Sequence, residues 1–117
     1  MSSNPQEPFK RISAQEAKEL IDRGDVQIID VRQPGEWMTG HVEGAVLIPV
    51  DSLFERVAEI EEDKDVLFYC AVGVRSALAC EIGAAMGGTR CHNLEGGMEA
   101  WKAGSLPFVM PEAAPNS

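Results

Sequence analysis

The stretch Val66-Leu67-Phe68-Tyr69-Cys70-Ala71-Val72-Gly73-Val74-Arg75-Ser76 passes from a bulky apolar run, through a short loop, into a helical pattern. An apolar run of that length, rich in strand-forming residues, suits a strand covered on both faces. The helix is expected from about Ser76 to Met86. Its apolar residues Leu78, Ile82 and Ala85 or Met86 recur at three- and four-residue steps, and Gly87-Gly88 stops it. Cys70 therefore stands at the carboxyl end of a buried strand, with a loop behind it that closes onto a helix start.

The same alternation extends in both directions. Upstream, Ser13 with Glu16 three residues on makes a capping box for a helix bearing Ala17, Leu20 and Ile21, which Gly24 ends. Val26 to Val31 and Val46-Leu47-Ile48 read as strands, the second closed by Pro49, and Ser52 to Ile60 reads as a helix. Downstream, a short strand near Cys91-His92-Asn93 leads to a Gly96-Gly97 turn and a helix carrying Met98 and Trp101, ended by Gly104. Strands alternating with helices predict an α/β fold, an open, mainly parallel sheet of about five strands with helices on both faces. In such sheets ligands bind beyond the carboxyl ends of the strands.

The chain has 117 residues, 44% of them hydrophobic, which is one domain with enough core to fold without disulfides or metal. Residues Met1 to Pro8 and Pro111 to Ser117 lack periodicity and read as frayed ends. Ten Lys and Arg against nineteen Asp and Glu give a net charge of −9. That balance argues against nucleic-acid or anionic-membrane partners, which need a basic footprint. No run is long enough to span a bilayer and no signal peptide is legible, so a cytoplasmic location is expected. The three cysteines, Cys70, Cys80 and Cys91, are too few and too spread for a disulfide framework. No Cys-x-x-Cys or His-x-x-x-His pair and no phosphate-binding Gly-Lys-Ser/Thr occurs, so no metal or other cofactor is expected.

The loop after Cys70 has the makings of an anion cradle. Several backbone N–H groups turn toward one point when a loop closes on a helix, and Gly73 is free to adopt the dihedrals this needs. Those donors and the helix dipole depress the pKa of a thiol placed there, and Arg75 adds a cation with planar donors. Cys80, inside the helix, and Cys91, on a strand, read as core residues.

The chain resembles the rhodanese family. The matching segments are Ile28-Ile29-Asp30-Val31-Arg32 with Glu36-Trp37, Gly40-His41-Val42-Glu43-Gly44-Ala45 leading to Ile48-Pro49, the Cys70 loop, and Leu94-Glu95-Gly96-Gly97 with Ala100-Trp101. They occur in the family's order, and Ala103-Gly104-Ser105-Leu106-Pro107 is similar to the close of such a domain. The resemblance implies a rhodanese-like domain over residues 11–109, between flexible segments at 1–10 and 110–117. It implies a thiosulfate sulfurtransferase-type enzyme in which Cys70 attacks a sulfane sulfur and carries it as a persulfide. Ala71, Val72, Gly73, Val74, Arg75 and Ser76 would bind the substrate, the amides holding the persulfide and Arg75 orienting a sulfonate. The partners implied are a small-molecule sulfur donor, thiosulfate or a persulfide or polysulfide, and an acceptor, either small or a protein.

Two other readings stay open. Rhodanese-like domains also serve as silent binding or sulfur-delivery modules, and cysteine phosphatases or arsenate reductases share the fold. The phosphatase loop is one residue longer than the four residues between Cys70 and Arg75 and is usually preceded by His, where this chain has Tyr69. Of the other matched residues, Asp30, Arg32 and Glu36 are expected to form a supporting charged cluster, His41 to tie loops, and Trp37 and Trp101 to anchor the core. His92 carries no signal separable from packing.

Overall fold

The computed structural model describes residues 7–88 and 90–111. Most of the two ends read as frayed, at 1–6 and 112–117, lies outside the described residues. Strands β1 (Lys10–Ile12), β2 (Val26–Asp30), β3 (Val46–Leu47), β4 (Asp65–Tyr69) and β5 (Cys91–Leu94) form one sheet in the order β1-β5-β4-β2-β3, every pairing parallel. The helices are α1 (Ala14–Asp22), α2 (Pro34–Trp37), α3 (Val74–Ala85) and α4 (Gly97–Ala103). The chain steps outward from β2 to β3 in one direction and from β4 to β5 in the other. The carboxyl end of the central strand β4, where Cys70 follows, thus lies where the order reverses, the usual place for a ligand in such a sheet.

Alternation along the central strands divides the core in two. Ile29, Val66 and Phe68 point to one face and pack with Leu53, Ala79, Cys80 and Cys91 under α3. Ile28, Leu67 and Tyr69 point to the other and pack with Ala17, Met98 and Trp101 of α1 and α4. This two-sided burial is why β2 and β4 read as continuous apolar runs. The expected capping box of α1 is present: the Glu16 N–H donates to Ser13 Oγ at 3.1 Å and the Ser13 N–H to Glu16 Oε1 at 2.8 Å.

Three local readings are revised. The helix expected over Ser52–Ile60 is instead a pair of 3₁₀ turns, Val50–Ser52 and Val57–Glu59. The 3₁₀ turns bring Val50, Leu53, Val57 and Ile60 against the core while covering more length per residue than an α-helix would. Gln27 of β2 holds its far end, donating to Glu59 O and accepting from the Glu61 N–H. Helix α3 begins at Val74, two residues before the expected start. Finally, β1 and the four-residue α2 emerge where no periodic signal marked them. Phe9 is buried against the core and β1 starts at Lys10, one residue ahead of the domain limit drawn at 11.

Asp30 ends β2 without any exposed surface, and Arg32 closes over it. The guanidinium donates through Nη2 to Asp30 Oδ2 at 2.7 Å and through Nε to Oδ1 at 2.9 Å, and Nη2 also reaches Gly40 O at 2.8 Å. The pair ties the end of β2 to the loop before Val42, whose N–H donates to the Tyr69 hydroxyl at 3.0 Å. Removing one partner of a buried pair strands the other charge, so Arg32→Ala is expected to cost about 3–5 kcal/mol in urea unfolding. A cost below about 1 kcal/mol would show that Asp30 tolerates isolation there.

Candidate active site

Cys70 has no exposed surface, and its sulfur lies inside a ring of donors. The Gly73 N–H donates to Sγ at 3.1 Å and the Ser76 N–H at 3.4 Å. Both belong to the opening of α3: Gly73 is its N-cap and Ser76 its third residue, so the unpaired amides of the first turn converge on the sulfur. Gly73 adopts φ +100°, which a side chain would resist, and it is packed 3.3 Å (measured from an ideal Cβ) from the amide of Gly96.

The ring is held from below by Asn93, fully buried at the end of β5. Its Nδ2 donates to Gly73 O at 3.1 Å and its Oδ1 accepts from Ser76 Oγ at 2.5 Å. One side chain thus fixes the residue that points its N–H at the sulfur and the residue that closes the ring. The loop is also held from α4. The Met98 N–H donates to Cys70 O at 2.8 Å and the Glu99 N–H to Ala71 O at 3.1 Å, occupying first-turn donors of that helix. Gly97 allows the approach, because a Cβ there would stand 2.5 Å from Ala71 C, Ala71 O and Cys70 O.

Burial opposes ionisation of the Cys70 thiol, but hydrogen bonds from the Ser76 hydroxyl and the N–H groups of Ser76, Gly73 and Val72 outweigh it and hold the pKa below the ordinary cysteine value. The hydroxyl is the conditional member. It carries one proton, which Asn93 Oδ1 takes, and it reaches Sγ, 3.4 Å away, only by giving that bond up. The backbone amides are the permanent donors. Burial pushes the Cys80 and Cys91 thiols up instead, and both lie in the core under α3, as expected.

The structure brings the six loop residues together with differing exposure. Gly73 and Ser76 are buried, Val72 and Val74 are exposed, and Ala71 is half-buried. Ala71 also lines a shallow pocket of about 290 Å³ between α2 and α4, with Glu36, Thr39, Met98, Glu99 and Lys102. Arg75 differs most from expectation. Its guanidinium forks onto Glu36, Nη1 to Oε1 at 2.8 Å and Nη2 to Oε2 at 2.9 Å. The expected Asp30–Arg32–Glu36 cluster is therefore split: Arg32 pairs with Asp30, and Glu36 pairs across to the loop. Arg75, by hydrogen bonding to Glu36, holds that carboxyl down at about 2.

The remaining residues of interest have structural surroundings. The His41 ring stacks on Trp37, centroids 3.5 Å apart, while its backbone pairs with Val109. Trp101 is buried, and its indole donates to Pro107 O at 2.8 Å. His92 Nε2 lies 3.0 Å from Asp65 Oδ1, at the end of β4 opposite Cys70. Sequence reasoning missed Asn93 and the Glu36–Arg75 pair. The legible signal for the first was a polar residue at the end of a short buried strand; nothing local signalled the second.

The profile of the rhodanese-like domain matches residues 13–104. The chain belongs to the rhodanese-like domain family. Among its relatives is a sulfurtransferase of Allochromatium vinosum, 38% identical over 96 residues, covering 82% of this chain and 90% of that protein. The thiosulfate sulfurtransferase GlpE of Ectopseudomonas mendocina is 34% identical over 95 residues, covering 81% of this chain and 86% of that protein. The crystal structure of a rhodanese-related protein from Thermoplasma volcanium superposes with a TM-score of 0.80 at 32% identity, covering 86% of this chain and 98% of that one. The family, the parallel α/β fold and a sulfurtransferase-type relationship are thereby established for this chain. No helix among the described residues is long and apolar enough to cross a membrane.

Asn93→Ala leaves the buried Gly73 carbonyl without its side-chain partner and is expected to cost about 1–3 kcal/mol. Urea unfolding measures this, and a change within about 0.5 kcal/mol would show that the ring holds itself without the tether.

Proposed function

We propose that this protein is a sulfurtransferase that carries sulfane sulfur as a persulfide on Cys70. The observation that carries the reading is the convergence of the Gly73 and Ser76 N–H groups on a buried sulfur at the start of α3. A thiolate is the nucleophile such chemistry needs, and this cradle favours it.

In the first half-reaction the thiolate attacks the outer sulfur of the donor. A Cys70 S–S bond forms, the donor's own S–S bond breaks, and its electron pair leaves with sulfite from thiosulfate, or with a thiolate from an organic persulfide. The product is the Cys70 persulfide anion. In the second, an acceptor such as cyanide attacks the outer sulfur, thiocyanate departs and the Cys70 thiolate returns. Electrons balance in both steps, so the cycle requires no cofactor or metal. The amides of residues 71–76 stabilise the anionic sulfur throughout, as an oxyanion hole does. Val72 and Val74 are exposed at the rim, where a small-molecule donor and acceptor, or a cysteine presented by a protein acceptor, would approach. A cytoplasmic place of work, where thiols stay reduced, belongs to the same reading.

Exposure to thiosulfate or glutathione persulfide is expected to add one sulfur atom to the intact mass, lost again on adding cyanide and absent in Cys70→Ser. Failure of every sulfane donor to add sulfur would reject the assignment. The loading rate follows the thiolate fraction. It is expected to fall as pH drops through the lowered Cys70 pKa and to level off above it. A rate still climbing steeply above the ordinary cysteine value of about 8.5 would contradict an activated thiolate.

A further inference from the structure

Arg75 is the single cation of the Cys70 loop, and its planar fork is already filled by Glu36. The carboxylate is held from a second side, since Glu36 Oε1 also accepts from the Gln33 N–H at 3.0 Å. Both side chains are about one-third exposed, at 34% and 36%, so the pair stands at the rim where a donor arrives. With the Glu36 carboxyl lowered from 4.5 to about 2, the pair persists at every pH above the ordinary carboxylate range and loosens only as pH falls toward 2.

The neighbouring pocket between α2 and α4 offers an anion little compensation. Arg32 is buried and committed to Asp30 and Gly40 O. Lys102 lines the pocket along with Glu99 and Glu36, and its Nζ donates to Thr39 O at 3.3 Å and lies 4.8 Å from the centroid of the Phe108 ring. The two carboxylates here, Glu36 and Glu99, are thus matched by two cations, Arg75 and Lys102, with no excess positive charge, in a chain of net charge −9. The rest of the rim is apolar: Val72 and Val74 are exposed, as is Leu78, one turn along α3 from Val74.

We propose that Glu36 is a specificity-determining residue that selects the sulfur donor by charge. A sulfonate on the donor must compete with the Glu36 carboxylate for the Arg75 fork, because both seek the same bidentate geometry. A persulfide carried on an organic thiol has no sulfonate to place. It needs only the amide cradle for its sulfur and the apolar rim for its carbon chain. The site therefore discriminates against thiosulfate and in favour of organic persulfides. This inference rests on the sulfurtransferase reading above and deepens it.

The test is the efficiency of Cys70 loading by thiosulfate and by the persulfide of 2-mercaptoethanol, whose carbon chain is uncharged, in the wild type and in Glu36→Gln. Glutamine keeps an oxygen to accept from the Gln33 N–H but gives up the charge that competes for Arg75. The variant is expected to raise kcat/KM for thiosulfate about tenfold, chiefly through KM, and to leave the persulfide value within about twofold. Sulfite, the leaving anion, is expected to inhibit the variant at lower concentration. Adding Arg75→Gln is expected to abolish both gains, which a merely structural role for Glu36 would not produce. A thiosulfate-to-persulfide ratio that stays the same or falls in Glu36→Gln overturns the role of Glu36 while leaving the sulfurtransferase reading intact. Loading of the wild type by neither donor overturns both.

Discussion

A sulfur atom with no exposed surface is an unfavourable place for a negative charge unless donors are already aimed at it. Here the Gly73 and Ser76 N–H groups supply them, and most of the architecture around the site serves to keep those two amides pointing inward. The start of α3 provides donors that the helix itself cannot pair. The left-handed Gly73 turns one of them back over the loop, and Asn93 fixes the carbonyl of that same residue. From the opposite side, the start of α4 takes the Cys70 and Ala71 carbonyls, so that the loop backbone presents its N–H groups to the sulfur and its C=O groups away from it. Two helix N-termini thus grip one loop, each using its unpaired first-turn amides.

The strand–loop–helix unit around Cys70 was legible because each part has its own chemistry: an apolar run for a strand buried on both faces, a glycine for the turn, and a helical pattern after it. The period read for α3 marked the helix but not its inner face, since Leu78 and Met86 are exposed while Ser76, Ala79, Cys80 and Gly83 are buried. The cap of α1 was legible for the same reason, through Ser13 and Glu16. What sequence reasoning missed depends on distance along the chain. Asn93 reaches Gly73 across twenty residues and Glu36 reaches Arg75 across thirty-nine, and no local pattern encodes either contact. The segment 52–60 misled because its apolar spacing fits a helix, while the Gln27 clamp at its end is a contact made across the fold that no local pattern encodes. Strand β1 escaped notice because, at the sheet edge and three residues long, it contains no apolar run.

Electrostatics operates here on two length scales. The net charge of −9 belongs to the surface, and at physiological ionic strength it is screened beyond about 8 Å. It slows capture of anions without defining the site. Within contact distance, the amide cradle attracts negative charge to the sulfur, whereas the Glu36–Arg75 pair withholds a cation from whatever the donor carries behind that sulfur. The site is thus selective for the charge of one atom and indifferent or opposed to charge on the rest of the molecule.

The central claim, that these amides stabilise ionised sulfur at Cys70, is most directly tested by following the amide proton resonances of Gly73 and Ser76 by NMR as a function of pH. Donation to a thiolate moves an amide proton downfield. Both resonances are predicted to move together with a midpoint below the ordinary cysteine value of about 8.5, and to stay still in Cys70→Ser. Resonances that do not respond to pH, or a shared midpoint at or above that value, would contradict the account.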